Sequence, residues 1–433
     1  MAQAPGLGSR LRRLGSSRLV RQNLVLFVGG LTAGVGGFVY HAVAGHIMGP
    51  RLYGDVASLI ALYAVLIAPY YILVLVLARY AATIAAGNGS RSVRYLIVRT
   101  TRVTIVPSIV LVLLGAALSG LTASFLHLHG ATPVIWLVAG VAIIWQVAVP
   151  RGILQGIQSF GWLSANLSLE MVMRCGALVA LLLLNTGVDG AAGAVLAGGL
   201  FSYALGLFPL RDRMREPGER TPLRTMLGFS ATAAAGTIGI LLLYNLDVIL
   251  AKHFLNDHDA GIYGGLNKIG TILYFLTLSV SQVLFPRVVE AIATNNHPGR
   301  LLGYSAALIG LLGLFALAVF FAVPGLIVVI LFGNRFLAAV PFVFVVGVIG
   351  LALSLNNLLV QFFMAAHDRW FVPILGAGVL VLGTSISVYH GSLAQVVTDV
   401  VASMLTLLTV LTARLFVLLP RLRPVPEAGV VSA

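Results

Sequence analysis

The chain has 433 residues, of which 59% are hydrophobic and only 9% are charged, 27 basic and 13 acidic. A soluble domain carries about 25% charged residues to keep its surface wetted, and forty charges cannot cover so much apolar mass. A soluble enzyme, a nucleic-acid binder and a disordered scaffold are therefore excluded, and an all-α polytopic membrane protein is expected. The net charge of +14 is read as a topology signal of cytoplasmic loops and calls for no nucleic-acid partner.

A membrane-crossing helix needs about 20 mostly apolar residues. On that measure the chain resolves into twelve segments: 22–45, 54–86, 96–125, 131–150, 162–185, 189–210, 225–253, 260–293, 300–332, 337–366, 369–390 and 394–419. The expected organisation is a basic tail (1–21), a six-helix N-lobe (22–210), an inter-lobe loop (211–224), a six-helix C-lobe (225–419) and a second tail (420–433). Helices are required because open strands leave backbone groups unsatisfied in lipid. Residues 54–86 would form a helix about 50 Å long at 1.5 Å per residue, longer than the bilayer core. Pro69 and Pro286 offer kink points in the two longest spans.

Arg and Lys are distributed very unevenly between the two sides. Clusters such as Arg10, Arg12 and Arg13, then Arg91, Arg94 and Arg99, then Arg211, Arg213 and Arg224, with Arg151 and others, fall on one side. Only Arg51, Lys252 and Arg335 fall on the other. By the positive-inside rule both termini are cytoplasmic. Ala42-Val-Ala44 loosely imitates a signal-peptide cleavage site, but the repeat described next gives the first segment a counterpart in the seventh.

Tyr53-Gly54 and Tyr263-Gly264 occupy the same place in the second and eighth spans. Each is followed by a frame of Arg, Ile-Ala and Asn: Arg79 to Asn88 in one half, Arg287 to Asn296 in the other. Upstream, Ala44-Gly-His-Ile-Met48 parallels Ala251-Lys-His-Phe-Leu255. Both first spans of the halves run in one direction, so the halves are parallel repeats. Such repeats pack around a central cavity that opens alternately to each side.

These segments carry a resemblance. Asn245-Leu-Asp-Val-Ile-Leu-Ala-Lys-His-Phe, Asp259-Ala-Gly-Ile-Tyr263 and Asn267-Lys-Ile-Gly270 resemble the middle of polysaccharide-transporter flippases. Gly49-Pro-Arg-Leu-Tyr-Gly54, Gln155-Gly-Ile-Gln-Ser-Phe160 and Gly187-Val-Asp-Gly-Ala191 resemble other stretches of the same proteins. That branch belongs to the multidrug/oligosaccharidyl-lipid/polysaccharide exporter superfamily. The resemblance implies a two-lobe, twelve-helix flippase for lipid-linked oligosaccharides or related envelope precursors. Residues 22–45 contain no Asp or Glu, unlike the cation-coupled multidrug branch, and twelve spans differ from the fourteen usual in lipid II flippases.

Charges inside spans cost about 2.5–3.5 kcal/mol each on insertion scales and are functional candidates. Asp247 and Lys268, with Asn245 and Asn267 nearby, could form a polar cavity wall in which Lys268 meets a diphosphate, or a structural ion pair. Arg79 and Arg287 stand at repeat-equivalent positions, where they could receive an anionic head group or simply snorkel to the interface. Glu170 and Arg174, at i and i+4, are expected to pair structurally. No catalytic or metal-binding spacing is found, and no cofactor is expected.

The expected function is alternating-access export of an undecaprenyl-diphosphate-linked oligosaccharide across a bacterial cytoplasmic membrane, with no enzymatic step. Expected partners are membrane lipids, the lipid-linked oligosaccharide and a polysaccharide polymerase complex. The rivals are a cation-coupled multidrug exporter on the same fold and a flippase for another envelope lipid.

Overall fold

In the computed structural model the residues described are 18–86, 93–214, 230–294 and 297–422. Arg10, Arg12, Arg13, Asn88, Arg91, Arg224 and Asn296 lie outside them. The described residues are almost entirely helical: α1 Arg18–Leu66, α2 Ala68–Ala86, α3 Val93–Ala117, α4 Ser119–Phe125, α5 Thr132–Gly156, α6 Phe160–Leu183 and α7 Gly187–Leu207, then α8 Ser230–Phe254, α9 Asp257–Ala293, α10 Pro298–Ala322, α11 Pro324–Phe332, α12 Val343–Ala365, α13 Phe371–Val388 and α14 Leu393–Leu418. Eleven helical stretches are long and apolar enough to cross a membrane, and the first, Leu24–Ala85, has 62 residues. At about 1.5 Å per residue that stretch is roughly three times a bilayer core of about 30 Å. Its helical geometry fails at Gly49, which divides it into two stretches that each exceed the roughly 20 residues of a crossing; with the other ten that makes twelve among the described residues.

The boundary between those two crossings differs from the expected loop. Residues on both sides of Gly49 are helical, and the helical geometry fails at that one residue (φ 70°, ψ 176°). Glycine reaches this conformation without a Cβ clash, and Pro50 then starts the next segment with its ring already in helical φ. A second, slighter break comes later, at Ile67 between α1 and α2, just ahead of Pro69. Pro69 thus acts as expected, whereas α9 runs unbroken past Pro286.

The helices gather into two compact lobes. One holds the described parts of Met1–Ala44 and Leu66–Met226, the other Gly45–Val65 with the described parts of Leu227–Ala433. Gly45–Val65 was expected in the N-lobe; it belongs instead to the second lobe. The cause is a backbone-to-backbone crossing of the two repeat motifs. A side chain on Gly261 would collide with the carbonyl of Pro50, and one on Gly54 would lie 3.0 Å from the Gly261 nitrogen. Tyr53, fully buried, packs on Phe332 and Phe336 at centroid distances of 5.4 and 5.6 Å.

A buried charge cluster secures the same segment. Lys252, 1% exposed, pairs with Asp55 at 2.7 Å and with Asp257. Lys252 stands in the last turn of α8, where its charge is committed to these carboxylates. In the first lobe, the interior between α2, α3, α5 and α6 is filled by Leu77, Leu96, Val149, Ile153 and Leu163, whose close packing holds the helices together in lipid.

Candidate functional site

Each lobe contains a buried cluster with charged groups among its spans that bears on function, one around Arg151 and one around Asp247 and Lys268, and the two are built differently. In the first lobe, Arg151 of α5 reaches Glu170 of α6 at 2.5 Å, and Glu170 also accepts from Arg174 at 2.8 Å. Arg151 donates to Asn166 Oδ1 (2.7 Å), Ser202 Oγ (3.1 Å) and the hydroxyl of Tyr70 (3.0 Å). Asn166 in turn donates to the Ser202 carbonyl at 2.8 Å. The expected Glu170–Arg174 pair is present, one helical turn apart. Arg151, assigned to the membrane face by counting, is buried because α5 continues six residues beyond Pro150 to Gly156.

In the second lobe, α8 and the outer half of α9 present Tyr244, Asp247, Tyr263, Asn267 and Lys268 to one another. The Tyr263 hydroxyl donates to Asp247 Oδ2 at 2.6 Å, and Asn267 Nδ2 donates to the same oxygen at 3.0 Å. Asp247 Oδ1 and Asn267 Oδ1 are buried without a hydrogen-bond partner among the described residues. Both residues line a cavity of about 20 Å³ with Tyr244, Thr271, Gly350 and Met404, which is room for one water-sized atom.

Lys268 does not form the ion pair with Asp247 that the sequence left open. It is 5% exposed, and its ammonium lies 5.2 Å from the centroid of the Tyr244 ring. No carboxylate lies within 4.0 Å of it among the described residues. An aromatic face attracts a desolvated cation by about 2 kcal/mol, which holds the ammonium without neutralising it. Such a group is chemically ready for an anion.

The remaining expected site residues stand apart from this cluster. Asn245 is buried, but its amide donates to the Leu241 carbonyl of its own helix (2.8 Å), so it does not join Asp247. Arg287 is exposed on α9, nineteen residues beyond Lys268 and therefore about 28 Å further along the helix. Arg79 is exposed near the end of α2, in the other lobe. Sequence reasoning missed Arg151 and Tyr263 as charge partners, whereas Tyr244 is recognisable in the sequence as a polar neighbour of Asp247 and Lys268. Tyr263 lay within a repeat motif, a usable signal, whereas nothing local marked Arg151. Among the described residues no group of three His, Cys, Asp or Glu has metal-binding geometry.

Among the described residues, twelve stretches of membrane-crossing length in two lobes define a polytopic membrane protein. The fold is that of the multidrug/oligosaccharidyl-lipid/polysaccharide exporter superfamily. An inward-facing multidrug resistance MATE family transporter superposes with a TM-score of 0.72 at 13% identity, covering 89% of this chain and 94% of that one. An outward-facing transporter of that kind gives 0.66 at 14%, covering 93% and 95%. A superfamily transporter from Pyrococcus furiosus Vc1, described as having a binding pocket of reverse polarity that suggests a different function, gives 0.64 at 16%, covering 93% and 95%. No curated protein matches the chain. The family described as polysaccharide biosynthesis protein matches residues 19–292, more than half of the chain, and the chain belongs to it. It is a membrane flippase or exporter of the polysaccharide-transporter type, not an enzyme.

Proposed function

We propose that this protein moves an undecaprenyl-diphosphate-linked oligosaccharide across a bacterial cytoplasmic membrane by alternating access of its two lobes. The observation that carries this reading is Lys268, a buried ammonium 5.2 Å from the centroid of the Tyr244 ring with no carboxylate within 4.0 Å among the described residues. A diphosphate head group supplies the missing negative charge, and Asn267 and Tyr263 alongside offer polar contacts to it. Arg79 and Arg287, exposed towards their helix ends, receive the anionic head from the lipid surface, since the guanidinium fork matches phosphate. On the Arg and Lys distribution both termini face the cytoplasm, so those two arginines lie on the side where the precursor is made. A polysaccharide polymerase complex on the far side would then take up the exported glycan.

The test is export of surface glycan in cells that depend on this gene. Lys268→Met is expected to reduce export by at least about tenfold, roughly the 1.4 kcal/mol of one lost charge contact, and Lys268→Arg to restore much of it. Wild-type export in Lys268→Ala, Arg79→Ala and Arg287→Ala alike would overturn the reading. Drug resistance on overexpression, with export unaffected, would favour a multidrug exporter on this fold.

A further inference from the structure

The second lobe carries an open cavity of about 320 Å³ between α13 and α14, lined by Trp370, Ile374, Ala377, Val381, Leu407 and Val410 among others. It arises from two facing helical stripes. Positions 370, 374, 377 and 381 recur on one face of α13, and 403, 407 and 410 on one face of α14, at the three-to-four-residue spacing of a helix surface. The gap stays open because Ala377 and Gly378 stand where larger apolar side chains would close it; Gly378 faces Leu407 directly.

The length and the charge of the groove are both one-sided. From Trp370 to Val381 it extends eleven residues, about 16 Å, which is half of a hydrocarbon core of about 30 Å. It therefore runs through one leaflet only, starting at the membrane face that carries the end of α14. At that face Arg414, the next position on the α14 stripe, lies with its guanidinium 5.8 Å from the centroid of the Trp370 ring. Asp368 holds its Nε and Nη2 at 2.9 and 2.7 Å, leaving Nη1 without a hydrogen-bond partner among the described residues. Arg369 beside it is exposed. One carboxylate against two guanidiniums leaves the mouth with a net positive charge.

We infer that this groove seats the hydrocarbon chain of a polyprenyl phosphate lipid, with its phosphate at Arg369 and Arg414. A helix from a second copy would run the full depth of the bilayer and would have no use for a cationic mouth. The inference rests on the lipid-linked substrate proposed above, and it makes the groove a seat for the carrier lipid when its phosphate is not engaged at Lys268.

Trp370 is a built-in reporter at the mouth. The full-length protein, and Trp370→Phe as its blank, would be placed in nanodiscs of brominated phosphatidylcholine and titrated with undecaprenyl phosphate or phosphatidylglycerol. The expected result is a saturable change in the Trp370-dependent fluorescence with the polyprenyl lipid alone. It should weaken by about tenfold or more when Ala377→Phe or Thr406→Phe fills the groove from either wall, given the apolar area displaced. It should persist in Lys268→Met. An equal response to phosphatidylglycerol would mean an annular lipid site. A response that vanishes on dilution to one protein per disc would mean contact between copies. Unchanged titrations in both filled variants would also overturn the proposal. Normal export in Lys268→Met with the groove signal intact would remove the head-group site and leave the groove standing.

Discussion

In the first lobe the buried charges close on one another. Glu170 lies between Arg151 and Arg174, and Asn166, Ser202 and Tyr70 take up further guanidinium hydrogens. In the second lobe Asp247 is held on one oxygen only, and Lys268 meets an aromatic ring instead of an acid. Both clusters are buried inside membrane-spanning helices, yet one is a connected network and the other is only partly paired. Low dielectric makes every buried polar atom consequential. A satisfied network therefore rigidifies its helices, while a partly satisfied one keeps interaction energy available for a ligand. Burial alone does not distinguish the two clusters; in the first every charge has an opposite charge within 2.8 Å, and in the second Asp247 and Lys268 have none within 4.0 Å among the described residues.

The largest expected effect tests the structural half of that contrast. Glu170→Ala would leave two buried guanidiniums without their acid, destabilising the first lobe by about 3–5 kcal/mol. Thermal denaturation of the detergent-solubilised protein measures this, and a wild-type midpoint would end the distinction between the clusters. Tyr263→Phe removes a hydrogen bond to a carboxylate and should cost about 1.5–3 kcal/mol in the same assay. Its effect should be smaller than that of Glu170→Ala because Asn267 still holds Asp247.

Gly261→Val forces a side chain into the Pro50 carbonyl and should destabilise by about 1–3 kcal/mol through overpacking. Proteolysis of the chain between residues 45 and 65 should become faster in that variant; unchanged cleavage would show that the glycine crossing does not secure this segment. The smallest effect on stability is expected for Lys268→Met, within about 1 kcal/mol, because an apolar isostere of a buried charge is often neutral. Combined with the fall in glycan export, that outcome would separate a binding charge from a packing charge. A melting loss as large as that of Glu170→Ala would instead make Lys268 structural.

Much of the architecture could be read along the chain. The apolar runs locate α6, α7, α9, α13 and α14 within three residues at each end, because a helix in lipid satisfies its own backbone and needs only length and apolarity. Pairing was less accessible. Glu170 and Arg174 could be matched because i and i+4 share a helix face, whereas Arg151, nineteen residues before Glu170, could not. Its partner lies on another helix, and only the way α5 and α6 pack brings them to 2.5 Å. The same holds for Asp247. Its proximity to Lys268 across a short connection suggested an ion pair, but the helix faces turn its carboxylate to Tyr263 and Asn267.

The sequence alone determined that the chain crosses the membrane many times, where most spans lie, and that two segments repeat. These follow from composition and period, which act locally along each helix. The tertiary structure decided that residues 45–65 belong to the second lobe, that Lys252 and Arg151 are interior, and that Lys268 faces the Tyr244 ring with no carboxylate within 4.0 Å among the described residues. Each of these depends on which helix faces meet. In this protein that is set by the close approach of glycine-bearing surfaces such as Gly54 and Gly261, a contact that no single segment encodes by itself.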